Sequence, residues 1–133
     1  MRTSVKWADG VSFVAESGSG HKITMDGAPD SGGRNLGPRP MEVVLMGTGG
    51  CTSYDVVHIL KKGRADITSC EAEITAERAE TDPKVFTKIH FHFVVTGKNL
   101  KPEQVVRAIN LSTEQYCSAS IMLGKTAVIT HDF

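Results

Sequence analysis

Residues 40–62 read PMEVVLMGTGGCTSYDVVHILKK, and this segment carries both the start and the stop signals of one long helix. Pro40 suits the first helical position, Glu42 the positively polarised N-terminal end, and Gly63 the position just past the C-terminal end. Between Glu42 and the terminal lysine pair, Asp55 is the only formally charged residue. We therefore predict a helix over residues 40–62 that is buried on all sides.

The length of this helix predicts an assembly. A helix over the whole segment would be about 34 Å long, which approaches or exceeds the diameter of a small domain. One subunit would not cover it, so we expect an intertwined homodimer. A membrane span is the competing interpretation. We reject it because Gly47, Asp55 and His58 interrupt the apolar run, and no second hydrophobic segment accompanies it.

Short strands are predicted before the helix. Residues 3–7 and 11–15 alternate apolar and polar side chains on either side of an Asp-Gly turn, which indicates a hairpin. Residues 21–25 predict a third strand, with Ile23 and Met25 on its core face.

Residues 27–40 connect these strands to the helix. They contain four glycines and three prolines without periodicity, so they form a loop, and a loop this long in a compact domain is often functional or mobile. We expect a lid there.

Two more strands follow the helix. Residues 66–79 alternate, with Cys70 on the apolar face, and residues 85–96 return as the partner strand after a turn. His90 and His92 point away from the core in this pattern. The core-facing residues of the second strand are Ile89, Phe91, Phe93 and Val95.

The remaining segments predict two helices and a last strand. Pro102 opens an amphipathic helix, and residues 112–115 resemble a capping box that restarts a helix just before Cys117. Residues 127–130 form the last strand. The predicted order is βββ–α–ββ–αα–β in a single α+β domain, residues 1–133.

Composition narrows the class of protein. The 133 residues suit one domain. Lysines plus arginines number 15, equal to aspartates plus glutamates, so we expect neither nucleic-acid nor membrane binding. No secretory signal is recognisable at the N-terminus, which favours the cytoplasm. Three widely spaced cysteines without a CxxC pair argue against a disulfide framework or a zinc ribbon, and leave catalytic, redox or merely buried thiols.

Cys51 is the first candidate nucleophile. It follows the small residues 47–50, which would let a ligand or another backbone approach the sulfur. A reactive thiolate needs a neighbouring cation or donor, and the candidates are Arg39, Arg34 and Lys22. The alternative is that Cys51 is a buried small hydrophobic residue, the commonest fate of a free cysteine.

Cys117 is the second candidate. It lies at the start of a predicted helical turn, where free backbone N–H groups favour a thiolate. A second thiol able to reach Cys51 would trap a sulfenic acid as a disulfide and make oxidation reversible.

Two other constellations are weaker. Cys51, Asp55 and His58 share one helical face, but His58 lies about 10 Å along the axis from Cys51, beyond a direct hydrogen bond. His90 and His92 could chelate a metal, yet no third ligand is close in sequence, so a solvated or dimer-contact face is favoured. We expect no metal and no cofactor.

Residues 40–52 and the sequence Tyr116-Cys117-Ser118 resemble the OsmC/Ohr family of osmotically induced and organic-hydroperoxide-resistance proteins. The likeness covers nearly the whole chain and is greatest to OsmC-like proteins with a P-M-E motif followed by G-G-C. It implies antiparallel sheets wrapped around a long central helix, an intertwined homodimer with interfacial active sites, and thiol-dependent reduction of organic hydroperoxides. Hydrogen peroxide would be a poorer substrate.

The resemblance also implies residue roles. Cys51 corresponds to the peroxidatic cysteine and Cys117 to the resolving one, with an external dithiol, lipoyl-type in several relatives, as reductant. The rival interpretation is a non-catalytic module that binds an apolar or thiol-reactive small molecule at the dimer interface. A structural partner protein is a third alternative.

Two positions depart from the hydroperoxide-resistance branch. That branch has glutamate directly after the proline, where this chain has Met41, so Glu42 is turned by about 100° around the helix. It also uses an N-terminal arginine beside the thiolate, and this chain has none between Arg2 and Arg34. Glu42 is still assigned to the catalytic set, and Arg34 and Arg39 are the candidate thiolate-stabilising cations.

Overall fold

The computed structural model describes residues 1–133 and has the α+β fold class predicted from the sequence, with two three-stranded sheets and one long helix. The chain divides into two compact units, Met1–Leu45 and Met46–Phe133, which are described separately. The elements are β1 (Thr3–Asp9), β2 (Ser12–Ser17), β3 (Lys22–Met25), α1 (Pro40–Lys62), β4 (Asp66–Arg78), β5 (Phe86–Lys98), α2 (Pro102–Leu111), α3 (Ser118–Leu123) and β6 (Val128–Asp132).

The first unit contains the antiparallel sheet β1–β2–β3. Its hairpin turns at Gly10, whose positive φ of 56° suits glycine, and the indole Nε1 of Trp7 donates to the Gly10 carbonyl at 2.9 Å. The three predicted strands are therefore confirmed. The assignment of Ile23 to a core face is wrong for the single chain, since Ile23 remains 46% exposed. A core face needs a second layer, and none of the elements of the first unit provides one.

The loop after β3 is organised around Asp26. This carboxylate is buried and accepts hydrogen bonds from the backbone N–H groups of Gly27 (2.8 Å), Arg34 (3.1 Å) and Leu36 (3.2 Å). Burial by itself would raise the pKa of Asp26, but these donors outweigh it and lower the pKa. The carboxylate thus holds the loop in one conformation. The predicted lid function of the loop stays a prediction.

Asp26 gives a prediction about pH. Because its folded-state pKa is lowered, its stabilising effect is present above the unfolded-state pKa of about 3.9 and is lost as pH falls through the folded value. We expect Asp26→Asn to lower the urea midpoint at neutral pH and to approach the wild-type midpoint in acid. Asp30→Asn, an exposed position in the same loop, is the matched control. An unchanged midpoint for Asp26→Asn at pH 7 would contradict this.

Helix α1 has the predicted bounds, Pro40–Lys62. The carboxylate of Glu42 accepts the backbone N–H of Arg39 at 2.8 Å, which satisfies one of the free donors at the helix start. The single chain does not bury the helix on all sides, because Met46 and Tyr54 are 54% and 72% exposed, as expected for a helix that one subunit does not cover. One chain covers only one face of the helix. The buried residues on that face are Thr48, Gly49, Thr52, Val56 and Leu60.

Helix α1 is long and apolar enough to cross a membrane by length and composition alone. Its buried face identifies it instead as a core helix. Within the second unit it lies so close to β4 that a Cβ added at Gly49 would come within 2.4 Å of the Ile74 side chain. Small residues in the middle of α1 therefore permit close packing on the sheet.

The second unit contains the sheet β4–β5–β6. Strands β4 and β5 are antiparallel, with Ala72 opposite Phe93 and Ile74 opposite Phe91, as the alternation predicted. Strand β6 pairs in parallel with β5, an arrangement that the sequence pattern did not reveal. The core on this sheet consists of Phe86, Ile89, Phe91 and Phe93 together with Val56 and Leu60 of α1 and Val105, Ala108 and Ile109 of α2.

Candidate functional site

The second unit brings Cys51 and Cys117 together. Cys51 lies on α1, Cys117 lies directly before α3, and their side chains are hydrogen-bonded to each other as free thiols. Cys117 is fully buried, whereas Cys51 is only half-buried. A small molecule arriving from solvent would therefore meet Cys51 first.

The position of Cys117 depends on an irregular turn. Residues Ser112–Tyr116 form a single π-helical turn after α2, closed by the Cys117 N–H donating to the Ser112 carbonyl at 2.7 Å. Cys117 is then the N-cap of α3, and its sulfur accepts the Ser120 N–H at 3.4 Å. The expected supply of free backbone N–H groups at Cys117 is confirmed. π-helical turns occur frequently at functional sites.

The capping box predicted at residues 112–115 is wrong. Ser112 is fully buried and does not cap a helix; its hydroxyl instead donates to the Thr52 carbonyl at 3.0 Å and to the Asp55 carboxylate at 3.1 Å. The physical reason is that the π-helical turn points Ser112 at α1, where buried acceptors must be satisfied.

Buried hydroxyl groups surround the Cys117 sulfur. Thr52 Oγ1 lies 3.5 Å from Cys117 Sγ, and Ser120, whose side chain is also hydrogen-bonded to that sulfur, follows on α3. Thr52, Ser112 and Ser120 are each no more than 2% exposed, and no buried side-chain N or O atom lacks a partner. Sequence reasoning missed these residues. No sequence signal pointed to them.

Burial raises the pKa of the Cys51 thiol, and the neighbouring Cys117 and Asp55 raise it further. The backbone N–H of Ala119 donates to Cys51 and acts in the opposite direction, but does not compensate. No cation is among the main contributions to this balance. Within its own unit, Cys51 is therefore held as a neutral thiol at neutral pH.

The pKa of Cys117 is shifted in the opposite direction, downward. Burial would raise its pKa, but hydrogen bonds from Ser120, Thr52 and Cys51 outweigh it and lower the pKa. Donors of this kind favour the charged form because they stabilise the thiolate directly. Of the two thiols, Cys117 thus loses its proton first.

The three candidate cations all lie in the first unit. Arg34 forms an ion pair with Asp9 at 3.3 Å. Arg39 donates to Asn35 at 2.7 Å and to the Gly37 carbonyl at 3.1 Å, and Lys22 faces Glu16 at 4.0 Å. Thiolate stabilisation by Arg34 or Arg39, and a catalytic role for Glu42, stay predictions.

The residues Asp55 and His58 do not form a Cys-His pair with Cys51. The Asp55 carboxylate accepts from Ser112, and the His58 ring stacks on Tyr54 with ring centroids 6.1 Å apart. The structural interpretation favoured by the helical spacing agrees with this arrangement.

His90 and His92 lie on the outer face of β5 beside Asp132 of β6. His90 Nε2 is 3.3 Å from the Asp132 carboxylate and its Nδ1 is 2.7 Å from Thr130 Oγ1, while His92 Nδ1 contacts Asp132 directly. The hydrogen bond with Asp132 raises the pKa of His92. No group of three His, Cys, Asp or Glu side chains has the geometry to hold a metal ion. This cluster is a hydrogen-bonded network at the surface.

A cleft of about 710 Å³ opens between α1 and α2, in the size range of small-molecule sites, and neither cysteine lines it. Ile59, Leu111 and Tyr116 provide apolar lining, and three charged groups border the cleft: Lys62, Arg107 and the carboxylate of Asp55. Neither cation has an ion-pair partner within 4 Å. The cleft could therefore accept a ligand with both apolar and anionic parts.

The fold combines two small sheets with one long glycine-containing helix, and it brings two cysteines together. These features place the protein in the class of small α+β dithiol proteins. The chain belongs to the OsmC-like protein family, whose sequence profile matches residues 32–132.

Known proteins are similar to this chain in sequence or in fold. Protein YhfA of Escherichia coli strain K12 is 51% identical over 133 residues, covering 100% of this chain and 96% of its own length. The organic hydroperoxide resistance protein OsmC of Legionella pneumophila has a TM-score of 0.73 and 16% identity, covering 100% of this chain and 98% of its own. The organic hydroperoxide resistance protein OhrB of Bacillus subtilis has a TM-score of 0.63 and 20% identity, covering 98% of this chain and 95% of its own. These two structures show the shared fold.

Proposed function

We propose that the protein is a thiol-dependent peroxidase that reduces organic hydroperoxides, with hydrogen peroxide as a poorer substrate, in cytoplasmic defence against oxidative stress. The observation that carries this proposal is the hydrogen bond between Cys51 and Cys117, two free thiols brought together from distant segments, of which only Cys51 is partly exposed. The names of the Legionella and Bacillus relatives as organic hydroperoxide resistance proteins support it.

The proposed chemistry uses two electrons from two thiols. The Cys51 sulfur attacks the distal peroxide oxygen, the O–O bond breaks, and the alkoxide leaves and takes up a proton as the alcohol. Cys51 is then a sulfenic acid. The Cys117 sulfur attacks it, displaces hydroxide that leaves as water, and forms a disulfide. An external dithiol restores both thiols by exchange.

A homodimer is part of this proposal. Met46 and Tyr54 leave one face of α1 exposed in the single chain, and Trp7 is 65% exposed on the first sheet. Large apolar side chains exposed on a helix or sheet face are candidates for an interaction surface. A second copy would also be the source of a cation for Cys51, since none is among the main contributions to its pKa within its own unit.

The proposal is tested by following cumene hydroperoxide and hydrogen peroxide with dithiothreitol or dihydrolipoamide as reductant. We expect saturable consumption that is faster with the organic substrate. A rate no greater than that of the dithiol alone, with both reductants, would overturn the proposed function.

The cleft favours a second candidate function, the non-catalytic binding of a partly apolar anion. Lys62 and Arg107 would hold the anionic group and Leu111 would contact the apolar part. Native mass spectrometry of the purified protein should then show a retained small molecule that Cys51→Ser does not release. Lys62→Ala with Arg107→Ala should release it. Absence of any bound molecule, together with peroxidase activity, would favour the first function.

A further inference from the structure

The surroundings of Cys117 are unusual for a sulfur in a protein core. Thr52, Ser112 and Ser120 are all at most 2% exposed, and they lie beside a cysteine that is itself fully buried. A buried thiol that served only as a small hydrophobic group would pack against carbon, since each buried hydroxyl must be hydrogen-bonded to avoid a cost. The hydroxyl groups therefore require an explanation of their own.

Two of these hydroxyl groups have a choice of partner. Thr52 Oγ1 donates to the Thr48 carbonyl at 2.6 Å and lies 3.5 Å from Cys117 Sγ. Ser120 Oγ is 3.2 Å from each of two carbonyl acceptors, those of Thr113 and Cys117, and its side chain is also within hydrogen-bonding reach of the sulfur. A hydroxyl hydrogen rotates freely. Each can turn to a thiolate when Cys117 is charged and back to its carbonyl when the sulfur is neutral or in a disulfide, so neither state leaves a buried group unpaired.

We propose that Thr52 and Ser120 are positioning residues that hold the single negative charge of the reduced thiol pair on Cys117, with the shared proton on Cys51. The Ser120 N–H adds a fixed donor at 3.4 Å. The other titratable groups nearby do not compete: Asp55 on α1 accepts from Ser112, and Glu114 of the π-helical turn is exposed. Tyr116 is exposed as well, and α3 contains no titratable residue.

If the proposed function holds, this charge placement lets Cys117 accept the Cys51 proton during peroxide reduction. As the Cys51 sulfur bonds to the distal peroxide oxygen, the Cys51 proton passes to the Cys117 thiolate. The departing alkoxide takes a proton from water and becomes the alcohol. Cys117 then gives its proton to the hydroxide so formed and is again a thiolate. It then displaces hydroxide from the Cys51 sulfenic acid. The buried sulfur thus acts as the base that removes the Cys51 proton.

The charge placement is tested without peroxide. In a Cys51→Ser/Cys70→Ser background, Cys117 is the only thiol, and its ionisation is followed by the ultraviolet absorbance of the thiolate. Thr52→Val should lower the thiolate-to-thiol ratio at a given pH about tenfold, since a hydrogen bond to a charged group is lost. Ser120→Ala should shift the ratio in the same direction. Thr52→Ser should restore the background value.

Thr113→Val is the matched control, because the Thr113 hydroxyl is buried but donates to the Ile109 carbonyl at 2.9 Å and not to sulfur. An unchanged ratio in both Thr52→Val and Ser120→Ala would overturn the proposal, and so would an equal shift in Thr113→Val. Should Thr52→Val fail to fold, Ser120→Ala decides. The variants could titrate as expected while the wild-type protein shows no peroxidase activity. The proposed function would then be wrong, and the charge assignment would remain.

Discussion

Cys51→Ser is expected to reduce dithiol-dependent consumption of cumene hydroperoxide by roughly 10²- to 10⁴-fold, to the rate of the dithiol alone. The reason is access. Cys117 is fully buried and reaches only its partner sulfur, whereas Cys51 is partly exposed on α1. Serine preserves the volume and a hydrogen-bond donor toward Cys117, so the change removes the nucleophile and little else.

Cys70→Ser is the matched control for this experiment. Cys70 is also a half-buried free thiol, but it lies on β4, where its side chain is hydrogen-bonded to Ser53. Burial raises its pKa, which makes it a weak nucleophile. We expect Cys70→Ser to keep the wild-type rate. Equal rates for wild type and Cys51→Ser would show that the consumption does not pass through Cys51.

The fold could be predicted largely from local signals. The bounds of α1 follow from Pro40 at its start and Gly63 just after its end, and both were read correctly because they act within a few residues of the boundary. The strands β4 and β5 follow from strict alternation. The parallel pairing of β6 and the π-helical turn at residues 112–116 could not be predicted, since both depend on contacts with distant segments.

Burial could be predicted less well than secondary structure. The apolar composition of α1 indicates burial on every face, yet Tyr54 is 72% exposed in the single chain. A sequence reports how much surface must be covered, but not which molecule covers it. For the same reason Ile23 was assigned to a core face that its own unit does not complete.

The candidate site could also be predicted only in part from the sequence. The helical contexts of Cys51 and Cys117 single out two thiols, and the structure places them in contact. Thr52 and Ser120 carry no sequence signal for a role at sulfur, because a threonine after a cysteine and a serine in a short helix are both common. Their significance comes from the distance between α1 and α3, which only the folded chain defines.

Cys117→Ser is expected to change the product of a single oxidation. Wild type treated with one equivalent of cumene hydroperoxide should lose two hydrogens from its intact mass as the disulfide forms. The variant should instead gain one oxygen, as a Cys51 sulfenic acid that dimedone captures. Turnover with dihydrolipoamide should fall at least about tenfold, because an intermolecular thiol replaces one held in contact.

The thermal stability of Cys117→Ser must be measured alongside, since Cys117 is completely buried and caps α3. Serine keeps an atom that accepts the Ser120 N–H, so a folded variant is expected. Loss of two hydrogens in this variant would mean that another group resolves Cys51, with Cys70 the remaining thiol of the chain. Because the two thiols already interact directly, resolution should require little movement of α1 or α3, and disulfide formation should compete with capture of the sulfenic acid by an external thiol.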